Sequence, residues 1–231
     1  MKRKELLSEI IGNVLYKKAE TEKEIFLARK LHHDGYLRVG YISEPTPTGT
    51  IDDGYHEFSD YLIAIHLNDF NNSNSEKGFN SGEIVGVIRA VKYSQLGFSV
   101  INEFKLYPEV KKLLEVVDMN YVIEVGALFA KPGYFVAKGL YRAIWQYSKI
   151  RGDRYWLAAI DKRLFNIFIK RSHFYFDQIG PEKFYLGSVS VPAILDCRRQ
   201  KILMYQNAPE LAAFYDKAKF PSYLEPIIEL F

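Results

Sequence analysis

Two charged residues interrupt runs that are otherwise apolar. Glu124 lies in Tyr-Val-Ile-Glu-Val-Gly-Ala-Leu-Phe-Ala, residues 121–130, and Arg89 lies in Ile-Val-Gly-Val-Ile-Arg-Ala-Val, residues 84–91. Burying either charge is costly unless it is paired or hydrogen-bonded. Placed in a pocket, the carboxylate can serve as a general base and the guanidinium can grip an anion. Strand alternation also allows Glu124 to sit on a solvated face. An Arg89–Glu124 or Arg89–Asp60 pair would be purely structural.

A second pattern lies just downstream. Lys138, Arg142 and Lys149 are spaced four and seven apart, so they share one face of a helix over 136–151. That stripe is either a solvated face or a place for an anion. The helix starts immediately after the Glu124 strand, where its free N–H groups can hold a phosphate or pyrophosphate. Other chemistries are absent from the pattern. His32, His33, His56, His66 and His173 show no zinc-ligand spacing, so no metal is expected. There is no Walker A loop, no Gly-x-Gly-x-x-Gly and no Gly-x-Ser-x-Gly elbow, and Cys197 has no nucleophile signature around it.

The elements that must position these residues are readable from periodicity. The chain has 231 residues, 48% of them hydrophobic and 26% charged, which suits one large domain. No 18-residue uncharged apolar run or signal peptide is visible, and the lone Cys197 suits a reducing compartment, so a cytoplasmic protein is expected. The spacing predicts an amphipathic helix over 3–18 and a second one opened by the Thr21/Glu24 capping box and running to about 31. Strands are expected at 37–42, 60–67, 83–91, 121–130, 154–160, 173–178 and 183–190, with 68–82 as a long hairpin loop. Further helices are expected near 108–116, 136–151, 161–172 and 209–217. The strand–helix–strand unit over 121–160 implies a locally parallel pair, and the 60–91 hairpin an antiparallel one. The expected fold is therefore α/β, a mixed central sheet with helices on both faces.

Charge is distributed unevenly. Residues 44–83 carry eight acids against one base, Lys77, while 131–183 carry eleven bases against four acids. The basic half is either a differently solvated surface or a face for an anionic partner, such as a phosphate-bearing cofactor or an acidic carrier protein. The net charge of +3 gives no case for nucleic acid.

Taken in order, these residues resemble the GCN5-related N-acyltransferase (GNAT) fold, and within it the N-acyl amino acid synthases and the autoinducer synthases. Those proteins carry an Arg in a helix leading to an aromatic segment, here Arg29 before His33 and Gly35-Tyr36. An acid precedes a strand, here Asp60; an Arg closes a Val-Gly-x-x-Arg strand, here Arg89; and a Glu sits in the next, here Glu124. The Phe104 segment between the two strands also has its counterpart. The resemblance spans about residues 20–195, with an N-terminal helix and a C-terminal extension outside it. Ala127 stands where the autoinducer synthases carry Arg, which points away from S-adenosylmethionine as acceptor. The helix start, Phe135-Val-Ala-Lys-Gly-Leu-Tyr141, departs from the acetyl-CoA signature, which favours a carrier-protein thioester. Ile169 replaces the usual leaving-group Tyr.

The resemblance implies transfer of a long-chain acyl group from a thioester, on acyl carrier protein or coenzyme A, to the amine of an amino acid or similar molecule. No permanently bound cofactor is implied. Glu124 would be the base and Arg89 would work beside it. Arg29 would bind the acceptor, and Asp60 would hold one of the arginines. Backbone N–H groups of Ala127, Leu128 and Phe129 would stabilise the oxyanion. Lys138, Gly139 and Arg142 would meet the donor's phosphate or an acidic carrier. The alternatives are an acetyl-CoA-dependent N-acetyltransferase and a non-catalytic protein of this fold that binds an acylated carrier.

Overall fold

The structure is a computed structural model, described here for residues 8–67, 82–131 and 133–216. The expected loop over 68–82 falls almost wholly outside the described residues, as do residues 3–7 of the expected first helix and Lys217 of the last one.

The first element differs from expectation. In place of a helix over 3–18, β1 (Ser8–Ile11) and β2 (Val14–Lys18) form an antiparallel hairpin in which Ile11 pairs with Val14. Gly12-Asn13 is the two-residue turn, and Gly12 takes φ +60°, a conformation that tight hairpins require. The apolar pairs four apart have a helical spacing, but Gly12-Asn13 folds the chain back so that Ile10 meets Leu15 and Ile11 meets Val14 across the hairpin. Helix α1 (Glu22–Val39) then starts at the Thr21 capping box and ends at Gly40 in the left-handed region. It consumes the first half of the expected strand at 37–42, and Gly40 caps it.

Strands β3 (Ser59–His66), β4 (Glu83–Lys92), β5 (Val122–Ala130) and β6 (Tyr155–Asp161) form the centre of the sheet. Helices α2 (Ser99–Glu103) and α3 (Pro108–Val116) lie between β4 and β5, and α4 (Gly133–Arg151) joins β5 to β6. The expected helix at 161–172 divides into α5 (Lys162–Ile167) and a π-helical turn over Phe168–Ser172. The expected strand at 173–178 shrinks to β7 (Asp177–Gln178). The run at 183–190 is split by a turn into β8 (Lys183–Tyr185) and β9 (Ser188–Asp196). Helix α6 (Cys197–Asn207), not anticipated, precedes α7 (Pro209–Tyr215).

The nine strands form one sheet in the order β1-β2-β3-β4-β5-β6-β9-β7, with β8 paired to β9. All described pairings are antiparallel except β5 with β6. One face packs against α4, α6 and α7 through Leu62, Ile88, Ile123, Leu140, Ile144, Trp156, Met204 and Phe214. The other face packs against α1 through Leu31, Tyr61, Ile63 and Val87, and against α2 and α3 through Phe98, Val100, Leu114 and Val122. The mixed sheet with helices on both faces is as expected.

Candidate active site

The functional geometry arises where the sheet opens. The parallel pair β5–β6 holds register only from Val122–Tyr155 to Glu124–Leu157, and beyond that the two strands part. On the other side of β5 the ladder jumps: Val87 pairs with Phe129 but Arg89 pairs with Gly126. Ile88 alone therefore opposes both Ala127 and Leu128, and Ala127 takes φ +51°. Such a bulge leaves a backbone group out of the ladder and bends the strand away from its neighbour.

Between the parted strands lies a cleft of about 130 Å³. Its walls include Ala127 and Leu128 from β5, Ala158 from β6, Tyr141 and Ile144 from α4, and Phe168 and Phe174 beyond α5. The rim is built by the β8–β9 hairpin. Leu186 (φ +44°) and Gly187 (φ +78°) form its two-residue turn, and a Cβ on Gly187 would stand 2.2 Å from the Tyr41 carbonyl oxygen. That close approach sets Tyr185 and Leu186 over the cleft beside Tyr36 and Tyr41. The Tyr41 hydroxyl donates to Asp161 at 2.8 Å, and Arg163 holds the same carboxylate.

A polar cluster lies on the α1–α2 side of the same opening. Glu124 is 7% exposed; it accepts from the Ser99 hydroxyl and, at 3.0 Å, from the Val100 N–H. Burial pushes its carboxyl above the ordinary range, against the pull of Ser99, Val100 and Arg89 and with the help of the Asp53 charge. Arg89 forms an ion pair with Asp53 at 2.6 Å. Burial opposes the guanidinium charge, but Asp53 outweighs it and holds Arg89 protonated. Tyr61 faces Arg89 across the β3–β4 ladder and touches its guanidinium. His32 packs edge-on to Tyr36, and burial together with Arg89 depresses it to about 3, so it is a neutral imidazole. Three buried nitrogens here have no protein partner: Arg29 Nε, His32 Nε2 and Arg89 Nε. Gly126 follows Glu124 on the same strand face, lines the cleft, and has open space where a Cβ would stand, so the cleft reaches the strand face that carries the carboxylate.

No family model matches this chain, and no curated protein matches it. Solved structures do. The N-acyl amino acid synthase FeeM from uncultured soil microbes superposes with a TM-score of 0.62 at 15% identity, covering 82% of this chain and 94% of that one. The acyl-homoserine lactone (AHL) synthase LasI gives 0.59 at 15% identity, covering 86% and 96%. The CoA-dependent acyl-homoserine lactone synthase BjaI, with SAM and isopentyl-CoA, gives 0.57 at 16% identity, covering 85% and 93%. The chain has the GNAT-like fold. Its structural neighbours are an N-acyl amino acid synthase and autoinducer synthases, the branch that the sequence resembles.

Within this GNAT-like fold the sequence-derived residues separate into two groups. Glu124 and Arg89 share one face of the sheet, Arg29 reaches the same cluster from α1, and Ala127 and Leu128 line the cleft. The others lie elsewhere. Phe129 packs beneath α1, where a Cβ on Gly35 would stand 2.3 Å from its ring. Asp60 pairs with neither arginine: it binds Lys18 at 2.9 Å, Lys92 at 3.4 Å and the Tyr147 hydroxyl at 2.6 Å. The partner of Arg89 is neither Glu124 nor Asp60 but Asp53. Arg142 is buried against Glu9 at 2.6 Å, with its guanidinium over the Phe214 ring, and Lys138 also lies over that ring. Gly139 is a packing glycine, since a Cβ there would stand 2.1 Å from the Tyr16 ring. Lys149 pairs with Asp216. The basic stripe of α4 thus packs against Glu9 of β1 and against Phe214 and Asp216 at the end of α7.

Asp53, His32, Ser99 and Tyr185 were not anticipated. Asp53 lies in a loop, His32 in α1, Ser99 in α2 and Tyr185 in β8, none within a motif, and only the fold brings them near one another. Cys197 is half-buried, and burial pushes its thiol up to about 12, so it carries no thiolate. Among the described residues no three His, Cys, Asp or Glu side chains form a metal cluster, and no helix is long and apolar enough to cross a membrane.

Proposed function

We propose that this protein is an N-acyltransferase moving a long-chain acyl group from a thioester, on acyl carrier protein or coenzyme A, to the amine of an amino acid or a similar small molecule. The observation that carries the reading is the buried Glu124 carboxylate held at the point where the sheet parts beside an apolar cleft. An acyl chain fits the cleft, and an acceptor fits the polar cluster. The unpartnered nitrogens of Arg29, His32 and Arg89 suit an acceptor carboxylate. The first-turn N–H groups of α4, directly after β5, have no acceptor within the helix and suit the phosphate of the donor's pantetheine arm.

The chemistry follows from this placement. An α-amino group has a pKa near ~8, so at neutral pH its proton must be removed before the nitrogen is nucleophilic. Glu124, raised by burial, is matched to that task better than an ordinary carboxylate. The nitrogen lone pair attacks the thioester carbonyl carbon, and the carbonyl electrons move to oxygen. Backbone N–H at the Ala127–Leu128 bulge stabilises that oxyanion. Collapse breaks the carbon–sulfur bond, and the second proton, which the nitrogen must lose to become an amide, goes to the departing thiolate, which leaves as a free thiol. The amide product retains the acyl chain.

Cleft size bears on the donor. A cavity of about 150 Å³ holds one benzene, so 130 Å³ takes about six carbons without rearrangement. A longer chain extends beyond this volume. The test is incubation with acyl-carrier-protein and acyl-CoA thioesters of graded length and a pool of amino acids, read by mass spectrometry. An N-acyl amino acid is expected. Silence with every donor, from folded protein, would favour a non-catalytic acyl-binding member of the fold.

A further inference from the structure

One end of the cleft is polar. Tyr41, Asp161, Ser188 and Ser190 all line it. Asp161 and Ser190 are direct partners across the β6–β9 ladder, and the Ser188 and Ser190 hydroxyls stand 3.2 Å apart. Strand alternation puts this end on the same face as Glu124, because Leu157 pairs with Glu124 and Asp161 follows Leu157 by an even step. The aromatic wall of Tyr141, Phe168 and Phe174 packs with the α4 face instead. The polar end therefore belongs with the acceptor cluster of Arg89 and Glu124, not with the acyl chain.

The protons of these four side chains are all spent. One Asp161 oxygen accepts from the Arg163 backbone N–H and Nε, and the other accepts from Arg163 Nη2 and the Tyr41 hydroxyl. That fills a carboxylate, which has about four accepting sites. Arg163 holds Asp161 well below the usual carboxylate range, so it stays ionised. Burial and Asp161 raise the Tyr41 phenol, so it keeps the proton that it gives to Asp161. Arg163 also bears on that phenol, but it is 78% exposed and does not line the cleft. Ser190 gives its proton to the Tyr185 carbonyl at 3.5 Å, which leaves Ser188 to donate to Ser190. Toward the cleft, Tyr41 and Ser188 thus offer lone pairs and no proton. Their complement is a hydrogen-bond donor; a carboxylate there would meet only acceptors.

We propose that Tyr41 and Ser188 form the subsite for the acceptor's side chain, and that this side chain is long and ends in a hydrogen-bond donor, an ammonium or a hydroxyl. This rests on the N-acyltransferase reading and names the acceptor class within it. Asp161 is a positioning residue: its accepting sites are full, and it acts by fixing the Tyr41 phenol. Length follows from the strand. Asp161 stands four residues beyond Leu157, the partner of Glu124, which is roughly 13 Å along β6. A short side chain on an amine held near Glu124 does not span that distance. The acceptor is then read at three points: its carboxylate by the Arg29, His32 and Arg89 nitrogens, its amine beside Glu124, and its far end by Tyr41 and Ser188.

The test measures kcat/KM on the full chain for matched acceptors, lysine against norleucine and tyrosine against phenylalanine, with glutamate and the short pair serine and alanine alongside. One donor-bearing acceptor should exceed its partner by about tenfold or more, because a site built to hydrogen-bond a group discriminates against the analogue lacking it. The lysine pair reports an ammonium and the tyrosine pair a hydroxyl. Glutamate should be the poorest long acceptor, and serine should match alanine. In Tyr41→Phe and in Ser188→Ala the favoured ratio should fall several-fold toward one. Asp161→Asn keeps a capping side chain for α5 and should lower the same ratio by freeing the Tyr41 phenol. If Tyr41→Phe and Ser188→Ala slow both members of the pair equally, the two residues are structural and the subsite is overturned. Norleucine and phenylalanine acylated as fast as lysine and tyrosine by wild type would overturn the subsite and leave the N-acyltransferase reading in place. No amide from any acceptor, with folded protein, would overturn that reading and the subsite with it.

Discussion

Replacing Asp53 by Asn removes one charge from the Arg89–Asp53 pair and nearly nothing from its shape. The pair is 2.6 Å long, with the Arg89 side chain 11% and the Asp53 side chain 26% exposed. Breaking a fully buried pair costs about 3–5 kcal/mol because the remaining charge is stranded. Partial exposure of Asp53 reduces this to about 2–3 kcal/mol. At about 2–4 °C per kcal/mol for a chain of this size, Tm should fall by roughly 5–10 °C. The pH dependence has a definite sign. Asp53 is held below its ordinary value mainly because Arg89 overrides its burial. Its stabilisation is thus fully present above the unfolded carboxylate pKa of about 3.9, and it is lost as pH falls through the folded value. The gap between wild type and variant should close in that acidic window. The same substitution acts on catalysis in the opposite direction from simple damage. Asp53 pushes the Glu124 carboxyl up, so Asp53→Asn should move the acidic limb of the pH–rate profile to lower pH. Urea unfolding at pH 7 and at pH 3.5, with initial rates across pH 4–9, checks both. Equal stability at pH 7, or a limb that moves upward, would refute the assignment of Asp53 as the charge partner.

Three further outcomes are expected. Glu124 is raised by burial, so the folded state binds its proton more tightly than the unfolded state does, and its cost to stability appears as pH rises through the folded value. Glu124→Gln should therefore unfold at equal or higher urea than wild type at pH 8 while losing acyl transfer, measured by denaturation and product assay. Arg142→Met keeps the apolar stem but removes the Glu9 ion pair and the contact with Phe214; it should cost about 1–3 kcal/mol and leave KM for the donor within twofold. A rise in that KM would restore Arg142 to the donor site. Ala158→Leu fills part of the cleft from β6, and competition between short and long donors should shift toward the shorter, with the acceptor KM unchanged.

The centre of the fold was legible because its signals are redundant. The β3–β4 hairpin, the β5–α4–β6 unit and the Thr21 capping box each combine periodicity with a cap or turn. The N-terminal hairpin is not legible in periodicity because Leu6, Leu7, Ile10, Ile11, Val14 and Leu15 have a helical spacing, and only Gly12-Asn13 signals the turn that pairs Ile10 with Leu15 and Ile11 with Val14. The strand expected at 37–42 lost to the continuation of α1, which stops only where Gly40 takes the left-handed cap. In the site, Glu124 and Arg89 were readable as charges within apolar strands. Their partners were not: Asp53 lies in a loop 36 positions before Arg89, and Ser99 and Val100 reach Glu124 from α2, a separate element. The contacts of the α4 stripe were not legible either. Helical spacing places Lys138 and Arg142 on one face correctly, but a face packed by Glu9 and Phe214 looks in sequence like one awaiting a phosphate.

The central claim is that Glu124 accepts the proton of an acceptor amine attacking a thioester. Thiol release from an acyl-carrier-protein or acyl-CoA donor, followed with and without an amino acid acceptor, measures this directly in wild type and Glu124→Gln. The account predicts acceptor-dependent release in wild type, falling as pH drops through the Glu124 value, and its loss in the variant with donor binding intact. Acceptor-dependent release of equal rate in both proteins would contradict it.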